Sequence, residues 1–348
     1  MNKFRVALSG DFCKPDGSRA YPDFDITPLE ADPHVEYAYI EADGEISPKH
    51  IEHFDGLILL GLKFTRNSIH PNRRLAVVAR FGVGYDNVDV EACTQAGIAL
   101  VITPDAVRRP VAAGILTLML SLTTKLMIKD TLTRQGPDGF RQKAAHMGVG
   151  LVGKTLGSIG VGNIGAEMFR LAKPLDMNFI AHDPYVDISV PRSLGIRMVD
   201  LETLFREADI LTINCPLTDE TRHLVNAERL TLMKPTAYLI NTARGPIIDQ
   251  KALVEVLSQN RIVGAGLDVL EKEPPDAEDP ILKLGNVILA PHALSWTDQG
   301  FAGIGAADIS AVLEVMHGRE PVGIVNREVL KHEGWRRKLA LYRERFEG

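Results

Sequence analysis

The sequence predicts an α/β protein whose parallel sheets are covered by helices on both faces and divided between two domains. Three observations carry this. Short apolar runs without polar alternation recur along the chain, as in strands buried on both faces. Amphipathic segments of helical period, such as DQKALVEVLSQ (249–259), lie between them. And 348 residues exceed the size at which one hydrophobic core usually stops growing.

In chain order the first strands are FRVAL (4–8), LILLG (57–61), AVVAR (76–80) and IALVI (98–102). Proline suits the first turn of a helix, so Pro110 predicts a helix over 110 to about 127, preceded by the paired cations Arg108 and Arg109. Cations beside the positive end of a helix are disfavoured. The pair therefore reaches either to water or a neighbouring carboxylate, or to a bound anion. The polar, glycine-containing TRQGPDGFRQKAAHMG (133–148) separates these strands from a second group: LGSIGV (156–161), NFIAH (178–182), ILTIN (210–214), AYLIN (237–241), VGAGLDV (263–269) and NVILA (286–290). After PHALSWTDQ (291–299) comes a helical pattern, AADISAVLEVMHG (306–318), with a glycine stop. The tail WRRKLALYRERFEG is helical in pattern and dense in charge, which predicts a surface helix.

Composition excludes several classes. With 45% apolar residues, 24% charged residues and a net charge of −6, the chain offers no electrostatic footprint for nucleic acid or an anionic membrane. Cys13, Cys93 and Cys215 form no CxxC pair, so neither a disulfide framework nor a zinc site is expected, and a reducing cytoplasm fits. His50 and His53 in HIEH have no third ligand nearby, and no metal is expected. The start, MNKFRVALSGDF, has too short an apolar run for a signal peptide, and the longest uncharged stretch, 110–124, is too short and too polar to span a bilayer.

Two phosphate motifs compete. GVGLVGKT (148–155) matches the Walker A pattern, but a phosphate loop follows a strand and opens a helix, whereas this segment follows polar residues and leads into a strand. It is a decoy, with Lys154 solvated at a strand entrance. GVGNIG (160–165) has the right context: a strand, the glycines, then an apolar helix. Gly160 permits a tight turn, Gly162 admits a pyrophosphate to the backbone and Gly165 lets helix and strand approach, with Asn163 and Ile164 at the helix start. The next strand ends at Asp183, an acceptor for ribose hydroxyls that repels a 2′-phosphate. The expected cofactor is NAD.

Nicotinamide chemistry needs a holder for the carbonyl substrate and a proton carrier. Arg244 in NTARGPIID, Glu273 in LDVLEKEP and His292 in APHALSW each lie beyond a predicted strand, and ligands bind at the carboxyl ends of parallel strands. Singly, each has a bland reading: a loop brace, a solvated acid beside Glu271, a core histidine.

Together with ARFGVGYDNVDVEACTQAGI (79–98), LVGKTLGSIGVGNIGAEMFRLAKPLDMNFIAHDP (151–184), CPLTDETRHLVN (215–226), YLINTARGPIIDQKALVEVL (238–257), GLDVLEKEPP (266–275) and APHALSWT (290–297), these segments make the chain resemble the D-isomer-specific 2-hydroxyacid dehydrogenases, of the phosphoglycerate and glyoxylate–hydroxypyruvate reductase kind. The resemblance implies a Rossmann NAD domain (104–296) inserted into a discontinuous flavodoxin-like substrate domain (1–103 and 297–348). It implies a homodimer acting on a small 2-hydroxy or 2-keto acid. By the same resemblance Arg244 binds the substrate carboxylate, His292 exchanges the proton and Glu273 supports His292. Backbone amides of Val83 and Gly84 hold the other side of the carboxylate. Asp268 with the Thr242–Ala243 backbone serves the nicotinamide, and Pro216 with Thr221 the adenosine and ribose. The chain departs from the family pattern at Arg108, often a small polar residue, at Ala112–Ala113, often Ala-Glu, and around LGLKFTRNSI (60–69), where Lys63 or Arg66 is the candidate substitute for a loop arginine. Trp296 stands near a position that a glyoxylate and hydroxypyruvate reductase branch also fills with tryptophan. Arg108 suggests a substrate with a second polar or anionic group. The alternative function is an NAD(H)-sensing regulator resembling the corepressors of this fold.

Overall fold

The structure is a computed structural model and describes residues 3–347. The chain forms two compact units, Met1–Val107 with Trp296–Gly348, and Arg108–Ser295. Each is built on its own parallel sheet. In the first unit the strands are β1 (Phe4–Ser9), β2 (Val35–Ile40), β3 (Gly56–Leu59), β4 (Val77–Arg80) and β5 (Ala99–Val101), in the order β2-β1-β3-β4-β5. This is the flavodoxin-like order. In the second they are β6 (Thr155–Ile159), β7 (Asn178–His182), β8 (Arg197–Met198), β9 (Ile210–Ile213), β10 (Tyr238–Asn241), β11 (Gly264–Leu267) and β12 (Val287–Leu289). Their order is β12-β11-β10-β9-β6-β7-β8, all parallel. The sequence reverses direction between β6 and β9, which opens a crevice at the carboxyl ends of those two strands.

Successive residues of the central strands feed opposite cores, which is why their sequences do not alternate. Val6 and Leu8 pack on one face and Ala7 on the other. Likewise Leu239 lies in one core of the second unit, while Tyr238 and Ile240 lie in the other. The two strands absent from the sequence reading, β2 and β8, are both edge strands. VEYAYI exposes Glu36 and Ala38, and β8 has two residues, so neither presents the unbroken apolar run of a doubly covered strand.

Three expectations need correction. The helix expected from Pro110 begins at Pro104 and runs to Thr124, with Pro110 inside it. Both prolines suit a first turn; Pro104 takes that place, and Pro110 leaves the Ala106 carbonyl without its usual helical donor. Arg108 and Arg109 therefore lie within the helix rather than ahead of it. At 21 residues this helix is long and apolar enough, by length and composition, to cross a membrane, unlike the run 110–124 alone. Its apolar face, with Ala112, Ile115, Leu118, Met119 and Leu122, is buried in a core of the second unit. Finally, the charged tail forms the helix Glu333–Phe346, but Trp335, Leu339 and Tyr342 enter the first unit's core and the Trp335 indole donates to the Ala76 carbonyl at 3.1 Å.

Candidate active site

The Walker-like segment indeed runs into β6 rather than from a strand into a helix, and the Lys154 carbonyl accepts the Asn178 amide. At the second motif the glycines behave as a dinucleotide cradle requires. Gly160 has φ +96°, and a β-carbon there would lie 2.7 Å from the Asn214 carbonyl oxygen. A β-carbon on Gly165 would lie 2.5 Å from the Gly160 carbonyl oxygen, so only glycine lets the helix Asn163–Ala172 start this close to β6. Gly162 meets nothing within 4 Å, which is the open side a pyrophosphate needs. Asp183 follows β7, where Val161 donates to one carboxylate oxygen at 2.8 Å and Tyr185 to the other at 2.9 Å. Held this way, the carboxylate has lone pairs left for ribose hydroxyls. The residues present fit NAD.

The loop after β9 is shaped by its own side chains. The Thr221 hydroxyl donates to the Pro216 carbonyl at 2.7 Å and accepts the Thr218 amide at 2.7 Å, so Thr221 organises the loop itself. Burial pushes the Cys215 thiol up to about 11, which leaves it protonated and without nucleophilic character.

Arg244, Glu273 and His292 follow β10, β11 and β12, three neighbouring strands. Asn241, fully buried at the end of β10, accepts the Ala243 amide and donates to the Arg244 carbonyl, both at 2.9 Å. This fixes the turn from which Arg244 projects. The Ala243 carbonyl accepts the Arg244 guanidinium at 2.8 Å, which ties the side chain back to its own turn.

Glu273 Oε1 accepts the Leu270 amide at 2.9 Å, and Oε2 meets His292 Nδ1 at 2.8 Å. Burial opposes ionisation of Glu273, but the bonds from His292 and the Leu270 amide, with the charges of His292 and Arg244, outweigh it and hold its pKa low. With Nδ1 committed to the carboxylate, Nε2 is the nitrogen of His292 available to a substrate.

His292 has φ +56°, uncommon for a residue with a β-carbon. Asp268 enforces it: its carbonyl accepts the His292 amide at 2.7 Å, and its carboxylate accepts the Ala293 and Leu294 amides at 3.0 and 3.1 Å. Burial pushes the Asp268 carboxyl above its ordinary range, and the two amides pull it back only in part. The Asp268 carboxylate thus lies under the segment that carries His292.

The arginine pair has an anion within its own unit. Glu167, on the glycine-motif helix, is bound by Arg109 at 2.6 Å and by Arg170 at 3.2 Å, and Arg108 Nε stands 4.0 Å from the same carboxylate. In the first unit, Val83 and Gly84 follow Gly82, which has φ +121° and whose carbonyl accepts the Thr103 amide and hydroxyl at 2.9 and 3.2 Å. Arg66 bonds Gln95 at 2.8 Å and Lys63 lies in a backbone bridge to Glu45, so Arg66 is turned toward the helix Val90–Gln95. Trp296 packs edge-on to Tyr21 and Phe301 at 5.4 and 5.2 Å between ring centres.

A dinucleotide cradle on one side of the sheet's switch point, and an arginine with a carboxylate-supported imidazole on the other, define a nicotinamide-dependent oxidoreductase of hydroxy and keto acids. The model of the D-isomer specific 2-hydroxyacid dehydrogenase NAD-binding domain matches residues 116–293. Over 321 residues, covering 90% of this chain and 96% of the other, the sequence is 36% identical to a glyoxylate reductase of Pyrococcus horikoshii. It is 39% identical over 275 residues to a D-3-phosphoglycerate dehydrogenase of Methanocaldococcus jannaschii, covering 78% of this chain and 52% of that protein, so the chain spans about half that relative's length. The structure of a glyoxylate reductase from Paecilomyes thermophila superposes with a TM-score of 0.80 at 25% identity, covering 94% of this chain and 100% of that one. The chain belongs to the D-isomer-specific 2-hydroxyacid dehydrogenase family, as an NAD-dependent enzyme interconverting a hydroxy acid and its keto acid.

Proposed function

We propose that the protein reduces a small 2-keto acid of the glyoxylate or hydroxypyruvate class, with His292 as proton donor, Glu273 as its supporting carboxylate and Arg244 as the substrate's carboxylate holder. The observation that carries this reading is the 2.8 Å bond from His292 Nδ1 to Glu273 Oε2, which fixes the ring and leaves Nε2 as the nitrogen for the substrate. NADH, when bound, supplies the hydride that reaches C2. The carbonyl oxygen then takes the proton from His292 Nε2, while the planar Arg244 guanidinium holds the carboxylate. Val83 and Gly84 are proposed substrate-binding residues on the strength of their motif. Arg109 is accounted for by Glu167; Arg108, more distant from that carboxylate, keeps a proposed role toward a second polar group on the substrate.

The proposed assembly is a homodimer in a reducing cytoplasm. Met127, Phe140, Met147 and Val152, clustered in the sequence between the long helix and β6, are exposed, the last two at 74% and 79%, and the cysteines are free. Following NADH absorbance with a panel of 2-keto acids tests the activity. His292→Ala should lower turnover about 10²–10⁴-fold while NADH binding is kept. Near-normal turnover in the folded variant would remove His292 from the proton-donor role.

A further inference from the structure

His223, Glu271 and Gln250 take no part in the chemistry above, yet they join the loops that carry it. We propose that the His223–Glu271 pair is a positioning strap, fixing the turn of Arg244 against the loop of Glu273. The proposal rests on the reading that Arg244 holds the substrate carboxylate.

His223 Nε2 meets Glu271 Oε1 at 2.6 Å, which ties the loop after β9 to the loop after β11. Between them lies the turn after β10. The His223 amide donates to the Pro246 carbonyl at 2.9 Å, so one residue grips the Arg244 turn by its backbone and the Glu273 loop by its ring. Glu271 Oε2 accepts the Gln250 backbone amide at 3.2 Å, and the Gln250 side-chain oxygen in turn accepts the Glu271 backbone amide at 3.0 Å. At the centre Gly245 is pressed against the same loop: a β-carbon there would lie 1.9 Å from the Leu270 carbonyl oxygen. That leaves the turn no slack. Leu270 also supplies the amide bound to Glu273 Oε1.

A pair of half-exposed side chains is ordinarily worth little. Two features set this one apart. His223 adopts φ +51°, a left-handed conformation that persists when surrounding bonds over-determine it. And the pair closes a ring of bonds through three successive loops rather than joining two isolated surface groups, the arrangement in which neighbouring contacts couple.

The test uses the NADH-bound protein and two readouts. In His223→Ala, amide hydrogen exchange across 242–249 should rise above wild type, and KM for the keto acid should increase about three- to tenfold with NADH affinity unchanged. His223→Gln, whose amide reaches Glu271 from about the place of Nε2, should restore both. Glu271→Gln keeps an acceptor for the Gln250 amide and should give a smaller change of the same kind. Exchange across 242–249 equal to wild type in His223→Ala would overturn the strap, as would a fall in kcat and thermal stability with KM unchanged. Failure of the wild-type protein to reduce any keto acid would remove the reading of Arg244 instead, and the exchange result would still decide the strap.

Discussion

Replacing Asp268 by alanine separates two roles for this carboxylate. The substitution strips an acceptor from the Ala293 and Leu294 amides, and a buried donor left unsatisfied costs about 1–3 kcal/mol. Two offsets bring the sum to the low end. The Asp268 pKa is raised by burial, so its term favours the fold below about pH 3.9 and is lost as pH rises through the folded value. At neutral pH its ionisation therefore costs stability, and alanine recovers that part. The His292 segment is also only half-buried, so water can replace some of the lost bonding. The expected net loss is about 2 kcal/mol. It falls on the segment that holds His292 left-handed, a conformation that costs about 1 kcal/mol to keep. If the whole loss is spent in misplacing the imidazole, kcat drops about 30-fold. Urea unfolding at pH 7, steady-state reduction and NADH titration by fluorescence measure the three quantities. A kcat within about twofold of wild type would refute the bracing role, and a weakened NADH affinity with kcat intact would return Asp268 to the nicotinamide.

Glu273→Gln should remove stability that is present above about pH 4.3 and disappears as pH falls through the lowered folded pKa, about 0.5–1 kcal/mol after solvent screening; a stability gap equal at pH 7 and pH 3 would count against the pairing. The same variant should still reduce keto acids, but with a lower kcat, because the imidazole loses the acceptor that fixes its orientation. Asp183→Ser should narrow the preference for NADH over NADPH, and equal use of both by the wild type would show that Asp183 does not meet the ribose. Arg108→Ala should raise KM about threefold to tenfold for keto acids with a second polar or anionic group and spare glyoxylate, the modest size following from a half-exposed guanidinium near Glu167. Equal effects on large and small acids would assign Arg108 to the Glu167 cluster alone.

What the sequence shows well is what topology compels. The central strands are buried on both faces and announce themselves as apolar runs, whereas the edge strands β2 and β8 carry polar positions or are too short to register. The roles of Gly160 and Gly165 are readable because each follows from a backbone demand that no other residue meets. Side-chain direction is a different matter. Glu167 sits in an amphipathic helix, where an acid reads as solvated, and nothing in IGAEMFRLAKPL marks it as the receptor of two helices' arginines. Asp268 follows β11, where a carboxylate can turn toward a ligand or back under the neighbouring loop, and spacing does not choose between them. Pro110 misled for a related reason: two prolines suited the same first turn, and only packing decides which one occupies it.

Arg244, Glu273 and His292 were legible despite their separation in sequence because strand order does the joining. Parallel neighbours lie about 4.8 Å apart, and β10, β11 and β12 are consecutive, so residues just beyond their carboxyl ends fall within reach of one another whatever the connecting helices do. Gly160 and Asp183 follow β6 and β7, beyond β9 from that group. On the proposed reading this order would sort the ligand as well as the residues, with the adenosine nearest β7 and the reacting end nearest β10 to β12. The residual freedom lies in the loops, a few ångströms that strand order cannot fix. The His223–Glu271 bond and the Asp268 carboxylate act on that remainder, one setting Arg244 against Glu273 and the other setting His292.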